Sequence, residues 1–258
     1  MQDTLYLSSN VSEWERYNES LSDGGPIYAE TNMEHFIVEP WNALSSLLIL
    51  APAIYFAIRL RGQYKHYGFI MSMTPLLFLG GLGSTLFHAF RSSEYLLALD
   101  VLPTAILTLS VGVYFWLKVF DKWWYVFFVF IPAFFLRYLA NAYFSSHTAI
   151  NIGYAITGVT FFMPVLILLY RSGFKKGYTI IISIVLFILA LYFREIDAHE
   201  NHVFDIGTHF LWHILTGIGA YFLGEYLVFL RDAELKKRKL SLKKKVKTEY
   251  ASSKFHDL

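Results

Sequence analysis

The chain has 258 residues, of which 55% are hydrophobic, 19% are aromatic and only 16% are charged. A soluble domain carries about one quarter charged residues and has no way to hide so much apolar surface. These values exclude a disordered chain and a nucleic-acid-binding protein. The sequence contains no cysteine, which excludes disulfides, thiolate metal sites and a cysteine nucleophile. The composition is that of an integral membrane protein.

Charge is segregated along the chain, although the formal net charge is only +2. Residues 1–41 form an acidic segment with eight acids and one base, whereas residues 231–258 form a basic tail with ten bases and four acids. Residues 42–230 hold long apolar runs. The sequence therefore predicts three parts: an acidic N-terminal segment, a membrane domain and a basic tail.

Each apolar run is close to the roughly 20 residues that a helix needs to cross a bilayer. Short breaks rich in charged and turn residues separate seven such runs. The predicted fold is therefore an all-α bundle of seven transmembrane helices. The predicted spans are 42–60, 68–90, 96–117, 123–140, 149–170, 177–193 and 205–230.

The basic residues of the short loops predict the orientation of the bundle, because cytosolic loops are enriched in Lys and Arg. The first, third and fifth loops hold eight bases, and the even-numbered loops with their margins hold three. We therefore expect the N-terminus outside or in a lumen and the C-terminus in the cytosol. The membrane would be that of the endoplasmic reticulum or Golgi in a eukaryote and the cytoplasmic membrane in a bacterium. A cytosolic basic tail would attract anionic lipid headgroups.

Polar residues that are costly inside a membrane span point to function. Ser84 and His88 lie near the end of the second span, Asp100 lies at the start of the third, and His209 and His213 lie at the start of the seventh. Successive spans alternate in direction, so all five residues fall at one depth near the non-cytosolic face.

Residues four apart lie on one face of a helix. Ser84 and His88 therefore point the same way, as do His209 and His213, so two helices can bring three imidazoles to one point. Three histidines and an open fourth position are typical of a catalytic zinc site, where the metal lowers the pKa of its water to about 7. Asp100 would hold or deprotonate that water, and the Ser84 hydroxyl would donate to a developing oxyanion.

Four segments of the sequence resemble the alkaline ceramidases, which belong to a superfamily of seven-span hydrolases that also contains the progestin and adiponectin receptors. The segments are EPWNALSSLLIL, GLGSTLFHA, ALDVLP and HFLWHILTGIGAY. The resemblance implies a zinc-dependent amidase that cleaves ceramide into a long-chain base and a fatty acid. It assigns His88, His209 and His213 to the zinc. It places Ser84 and Asp100 at the water on the zinc and at the amide oxygen.

The resemblance also implies a calcium site in the acidic segment. The residues that match the family's motif are Glu13, Trp14 (through its carbonyl), Asn18 and Glu39. The acid that the family places two positions after the tryptophan is replaced by Arg16. Glu15 could supply an oxygen instead, because calcium accepts flexible geometries.

Three other functions fit parts of this pattern. A receptor or transducer of the same superfamily would keep the zinc site as structure and would tolerate the removal of Asp100. Membrane di-iron oxygenases use more histidines in HxxHH boxes, which this sequence lacks. An intramembrane serine protease with Ser84 as nucleophile would leave the HxxxH of His209 and His213 unexplained. We therefore expect the substrate to be a ceramide-like lipid that enters from the bilayer.

Overall fold

The computed structural model describes residues 21–197 and 204–256, with the side chains of these residues described as far as 245. Seven α-helices follow one another in this part of the chain, and 3₁₀ turns at 64–67 and 123–126 precede the second and the fourth. The helices are α1 Pro40–Arg59, α2 Gly68–Phe90, α3 Glu94–Val119, α4 Phe127–Tyr143, α5 Ser146–Arg171, α6 Gly177–Ile196 and α7 His209–His256.

Each helix, taken with its preceding 3₁₀ turn where there is one, is long and apolar enough to cross a membrane. The predicted all-α bundle of seven membrane-spanning helices is thus confirmed, and the chain is a multi-pass membrane protein. Apart from the end of α7, the helix ends lie within four residues of the predicted ones. For example, α5 begins at Ser146 rather than at 149, and α7 begins at His209 rather than at 205.

The helices pack in a ring. In it α1 lies between α2 and α7, α3 packs on α2 and α5, α4 packs on α5, and α6 packs on α7. Contact is sparse between α5 and α6, where the ring is least closed. Because the helices alternate in direction, α1, α3, α5 and α7 begin at the end of the bundle where α2, α4 and α6 finish. We call this end the site end.

The apolar core lies in the half of the bundle away from the site end. The most deeply buried core residues of five different helices are Phe56, Phe115, Val165, Ile180 and Tyr226. Many large apolar side chains point outward instead, among them Phe128, Ile131, Phe135, Ile181 and Ile188. So large an apolar surface is unfavourable in water, and it forms the lipid-facing surface of the bundle.

The last helix does not finish where its apolar run does, at residue 230, but continues without a break to His256. The predicted boundary between membrane domain and basic tail is therefore a change in composition within one helix. Just beyond it, Glu234 forms ion pairs with Arg231 of the same helix and with Lys118 at the end of α3. The lysines from 236 to 245 are exposed.

The described part of the acidic segment, residues 21–39, folds against the site end. The backbone N–H groups of Val38 and Glu39 donate to the carbonyls of Ala89 and His88, at 2.9 and 3.1 Å. These two hydrogen bonds tie the end of the segment to the last turn of α2. The entrance to α1 is thereby fixed beside one of the predicted metal ligands.

A carboxylate from the same segment caps α1. Glu30 accepts hydrogen bonds from the backbone N–H groups of Trp41 and Asn42, at 2.6 and 2.9 Å. These groups have no partner within the helix, and a negative charge is favourable at a helix N-terminus. Burial nevertheless raises the pKa of Glu30 above its ordinary value, against the lowering by the two N–H groups. The segment is thus held to the bundle by both backbone and side-chain contacts.

Candidate metal centre

Three buried histidines meet at the site end. His88 comes from the last turn of α2, and His209 and His213 come from the first two turns of α7. Their ring centroids lie 4.7 to 5.3 Å apart, and one nitrogen from each lies within 4.8 Å of the others. All three side chains are almost fully buried. The structure thus brings together the three imidazoles that the i,i+4 spacing placed on two helix faces.

Two glycines let the helices approach closely enough for this. A Cβ on Gly83 of α2 would overlap the backbone of Leu99 and Asp100 in α3, and a Cβ on Gly217 of α7 would overlap the Leu48 carbonyl in α1. Glycine is required where two backbones touch. The first contact sets Ser84 beside Asp100, and the second sets the start of α7 against α1.

The second ring nitrogens of two histidines are held by other groups. His88 Nδ1 donates to Glu39 Oε2, and His213 Nδ1 lies 3.0 Å from the Asn42 carbonyl oxygen. The hydroxyls of Ser45 and Ser46 lie 3.0 and 3.1 Å from the same nitrogen, and Ser45 also donates to the Asn42 carbonyl at 3.1 Å. A ring that donates through Nδ1 has a free lone pair on Nε2. In both histidines Nε2 is therefore the nitrogen able to bind a metal.

His209 is held from a different side. Asp197, at the end of α6, accepts hydrogen bonds from the backbone N–H groups of Thr208 and His209, at 2.5 and 2.8 Å. The ring of Tyr28 stacks on the His209 ring, with centroids 3.9 Å apart. The Nδ1 atom of His209 is buried without a hydrogen-bond partner. A buried nitrogen in that condition calls for an unseen partner such as a water or an ion.

This set of donors fits zinc. The residues offer three imidazole nitrogens in a buried site. Zinc in catalytic sites takes three protein ligands and leaves one coordination position for water. Within the described residues, this is the one group of at least three His, Cys, Asp or Glu side chains close enough together to share an ion. The geometry supports a metal centre, and the donor types favour zinc over calcium or magnesium, which prefer oxygen.

Ser84 and Asp100 lie together beside the triad. Ser46 donates to the Ser84 hydroxyl at 3.0 Å, and the Ser84 hydroxyl in turn faces the Asp100 carboxylate. Ser84 is fully buried and Asp100 is partly buried. A chain of two hydroxyls therefore leads from α1 to the carboxylate on α3.

A buried ion-pair network extends from the triad into the N-terminal segment. Arg91, just after α2, donates from Nε and Nη2 to the Asp23 carboxylate at 2.6 and 3.1 Å, and from Nη1 to Glu39 Oε1 at 2.5 Å. Burial raises the pKa of Glu39, but the hydrogen bond from His88 and the charge of Arg91 together lower it below its ordinary value. Glu39 is therefore an ionised link between Arg91 and His88.

The predicted calcium ligands Glu13, Trp14, Glu15 and Asn18 lie outside the described residues. Glu39, the fifth, is described, and it faces His88 and Arg91. The calcium site thus remains a prediction that rests on the resemblance.

The sequence profile described as Ceramidase matches residues 29–252. The match covers most of the chain, and it includes all three histidines, Ser84 and Asp100. The chain belongs to the ceramidase family. Its resemblance to the alkaline ceramidases is thereby confirmed, and membership of this family makes it a ceramidase-type hydrolase acting on amide bonds. A comparison with curated proteins finds no match.

Sequence reasoning missed several side chains of this ceramidase-family site. Ser45 and Ser46 lie in the segment EPWNALSSLLIL, which resembles the ceramidases, but neither serine was assigned a role from the sequence. Tyr28 and Asp197 lie in loops, where no periodicity marks a side chain as buried. Arg91 is one of the three bases in the even-numbered loops and their margins, and nothing in the sequence marks it as buried.

Proposed function

We propose that this protein is a zinc-dependent intramembrane amidase that hydrolyses ceramide-like lipids to a long-chain base and a free fatty acid. The observation that carries the proposal is the buried triad of His88, His209 and His213 beside the Ser84–Asp100 pair, in a chain of the ceramidase family. The three histidines would share one part, holding the metal, and Ser84 and Asp100 would each have another.

The three histidines would hold the zinc, with His88 and His213 binding through Nε2. A bound zinc supplies an activated water at neutral pH and polarises the amide carbonyl. Glu39 and the Asn42 carbonyl hold two of the rings in a fixed orientation and set their tautomers. Such partners maintain both metal affinity and geometry.

Asp100 is the general acid–base of the proposed reaction. Its carboxylate accepts the proton from the attacking water and passes it to the amide nitrogen as the long-chain base leaves. The Ser84 hydroxyl receives a hydrogen bond from Ser46. Its own proton faces Asp100 before substrate binds and would turn to the amide oxygen to stabilise the negative charge that develops there.

The substrate is proposed to come from the bilayer. The site end lies at one end of seven membrane-spanning helices, and the ring is least closed between α5 and α6. The loop charges favour an orientation in which the site end would lie on the outer or lumenal side and the C-terminal part of α7 in the cytosol. The exposed lysines of α7 would there meet anionic lipid headgroups.

The test pairs metal analysis with turnover. Wild type, His213→Ala and His66→Ala are purified in detergent, zinc per chain is quantified, and fatty acid release from a ceramide is followed. His66 is exposed and serves as the matched control. We expect about one zinc and turnover in wild type and in His66→Ala, and loss of both in His213→Ala. Folded wild type without zinc, or zinc-loaded wild type that releases no fatty acid, would contradict the proposal.

A further inference from the structure

Arg91 occupies an unusual position at the end of α2. Its backbone has a φ of 44°, in the left-handed region where glycine or asparagine is usual after a helix. Its side chain is fully buried, with the guanidinium carbon 4.5 Å from the centre of the Phe87 ring and 5.7 Å from that of Tyr28. A strained backbone and a buried charge at one residue point to a role that requires arginine.

The guanidinium joins two carboxylates of the N-terminal segment, both of which are far from Arg91 in sequence. It forms a bidentate pair with Asp23 and a third charged hydrogen bond to Glu39, and all three side chains are buried. Asp23 is itself fixed, because its Oδ1 also accepts the backbone N–H of Gly25 at 2.9 Å. Arg91 thus gives each of the two acids a positive partner.

The carboxylate of Glu39 has no lone pair left for another cation. Its Oε1 accepts from Thr31 Oγ1 at 2.6 Å and from Arg91, and its Oε2 accepts from Asn42 Nδ2 at 3.3 Å and from His88 Nδ1. A carboxylate offers about four acceptor directions, two on each oxygen. All four are taken, so Glu39 as it stands does not fit a calcium ion.

We propose that Arg91 is the resident cation beside the three histidines and acts as a positioning residue: its guanidinium neutralises Glu39 and holds that carboxylate against His88. With Arg91 in place, the described residues leave no position for calcium at Glu39, and we expect the protein to bind none. The proposal rests on the proposed function only for the identity of the metal at the three histidines.

The first test uses wild type alone. The protein is dialysed against calcium-depleted buffer with zinc supplied, and calcium binding is then followed by equilibrium dialysis up to about 1 mM, the weak limit of protein calcium sites. We expect no stoichiometric calcium and an unchanged thermal unfolding midpoint. One bound calcium per chain, with a raised midpoint, would overturn the proposal. This measurement involves no lipid hydrolysis, so it stands apart from the failure or success of the amidase assignment.

The second test removes the guanidinium. In Arg91→Gln we expect zinc affinity to fall about 10- to 100-fold, as for other residues that hold a metal ligand in place. Arg91→Lys retains the positive charge but cannot donate to two carboxylates in the planar geometry of a guanidinium. Its zinc affinity should lie between those of wild type and Arg91→Gln. Arg137→Gln is the matched control, because Arg137 hydrogen-bonds Gly153 and Thr157, away from the triad. Wild-type zinc affinity in folded Arg91→Gln would contradict a positioning role.

A rescue experiment separates positioning from folding. Arg91→Gly relieves the left-handed backbone and leaves a space of guanidinium shape between Asp23 and Glu39. Millimolar guanidinium ion should restore zinc affinity in this variant, whereas tetramethylammonium, which cannot donate hydrogen bonds, should not. If the two ions restore zinc affinity equally, or if neither ion restores it, the guanidinium of Arg91 does not act through its hydrogen bonds.

Discussion

The ring of Tyr28 lies almost flat on the ring of His209, with centroids 3.9 Å apart and an angle of 27° between the planes. Tyr28 also lies 5.3 Å from the His88 ring, so one aromatic side chain of the N-terminal segment covers two of the three imidazoles. Burial, followed by the charge of Glu39, raises the pKa of Tyr28 well above its ordinary value. The phenol therefore stays neutral in alkaline assays.

Removal of this cover is expected to loosen the metal centre. Tyr28→Ala should lower zinc affinity because it frees the His209 ring, and Tyr28→Phe should retain it because the stacked ring remains. Competition with a zinc-binding dye measures both variants. If the alanine variant binds zinc as tightly as wild type, the stack has no part in holding the metal.

Asp100→Asn separates chemistry from metal binding. The three histidines are intact in this variant, so zinc content should be unchanged, whereas fatty acid release should fall by about 10²- to 10⁴-fold, the usual contribution of a general acid–base. Zinc analysis and turnover on the same preparation test this. Retained turnover would remove Asp100 from the reaction and would favour a receptor with a structural metal.

Gly83→Ala should push α2 away from α3. The added methyl overlaps the backbone of Leu99 and Asp100, and overpacking of this kind costs roughly 1–3 kcal/mol. Thermal unfolding in detergent should show a lower midpoint, and turnover should fall because Ser84 and Asp100 separate. Gly158→Ala in α5 is the control, since nothing lies within 4 Å of its added methyl. If the two variants unfold alike, the close approach at Gly83 is not needed for stability.

Asp197→Ala should weaken the start of α7. The carboxylate accepts the first backbone N–H groups of that helix and, at 3.2 Å, the N–H of Ala29 next to Tyr28. Loss of such a cap costs about 1 kcal/mol, and His209 should lose its fixed position with it. Asp197→Asn keeps an acceptor oxygen and should be milder. Unfolding midpoints and zinc affinities that match wild type in both variants would contradict this role.

The spans and the triad could be predicted because both follow from local rules. A membrane helix can be recognised in a sequence by the length and apolarity of its run. His209 and His213 share a helix face because they are four residues apart. The position of Arg91 could not be predicted. Its burial depends on Asp23, which lies 68 residues away and approaches only once the N-terminal segment folds back.

The length of α7 was hidden for a different reason. Hydropathy shows where a helix leaves the apolar layer, but it does not show where the helical hydrogen bonding ends. Residue 230 is the end of the apolar run, whereas the helix continues to His256. Tyr28 was missed because an irregular segment has no period from which to read a buried face. In both cases the missing information lies in long-range contacts or in backbone geometry rather than in composition.

The continuity of α7 has a mechanical consequence. Its 48 residues make a single rod about 70 Å long that carries His209 and His213 at one tip and the lysines of its basic stretch at the other. The third imidazole belongs to a different helix. A change in bilayer thickness that alters the tilt of this rod therefore moves two imidazoles relative to the third, and the choice of detergent or lipid becomes a variable of the metal geometry itself.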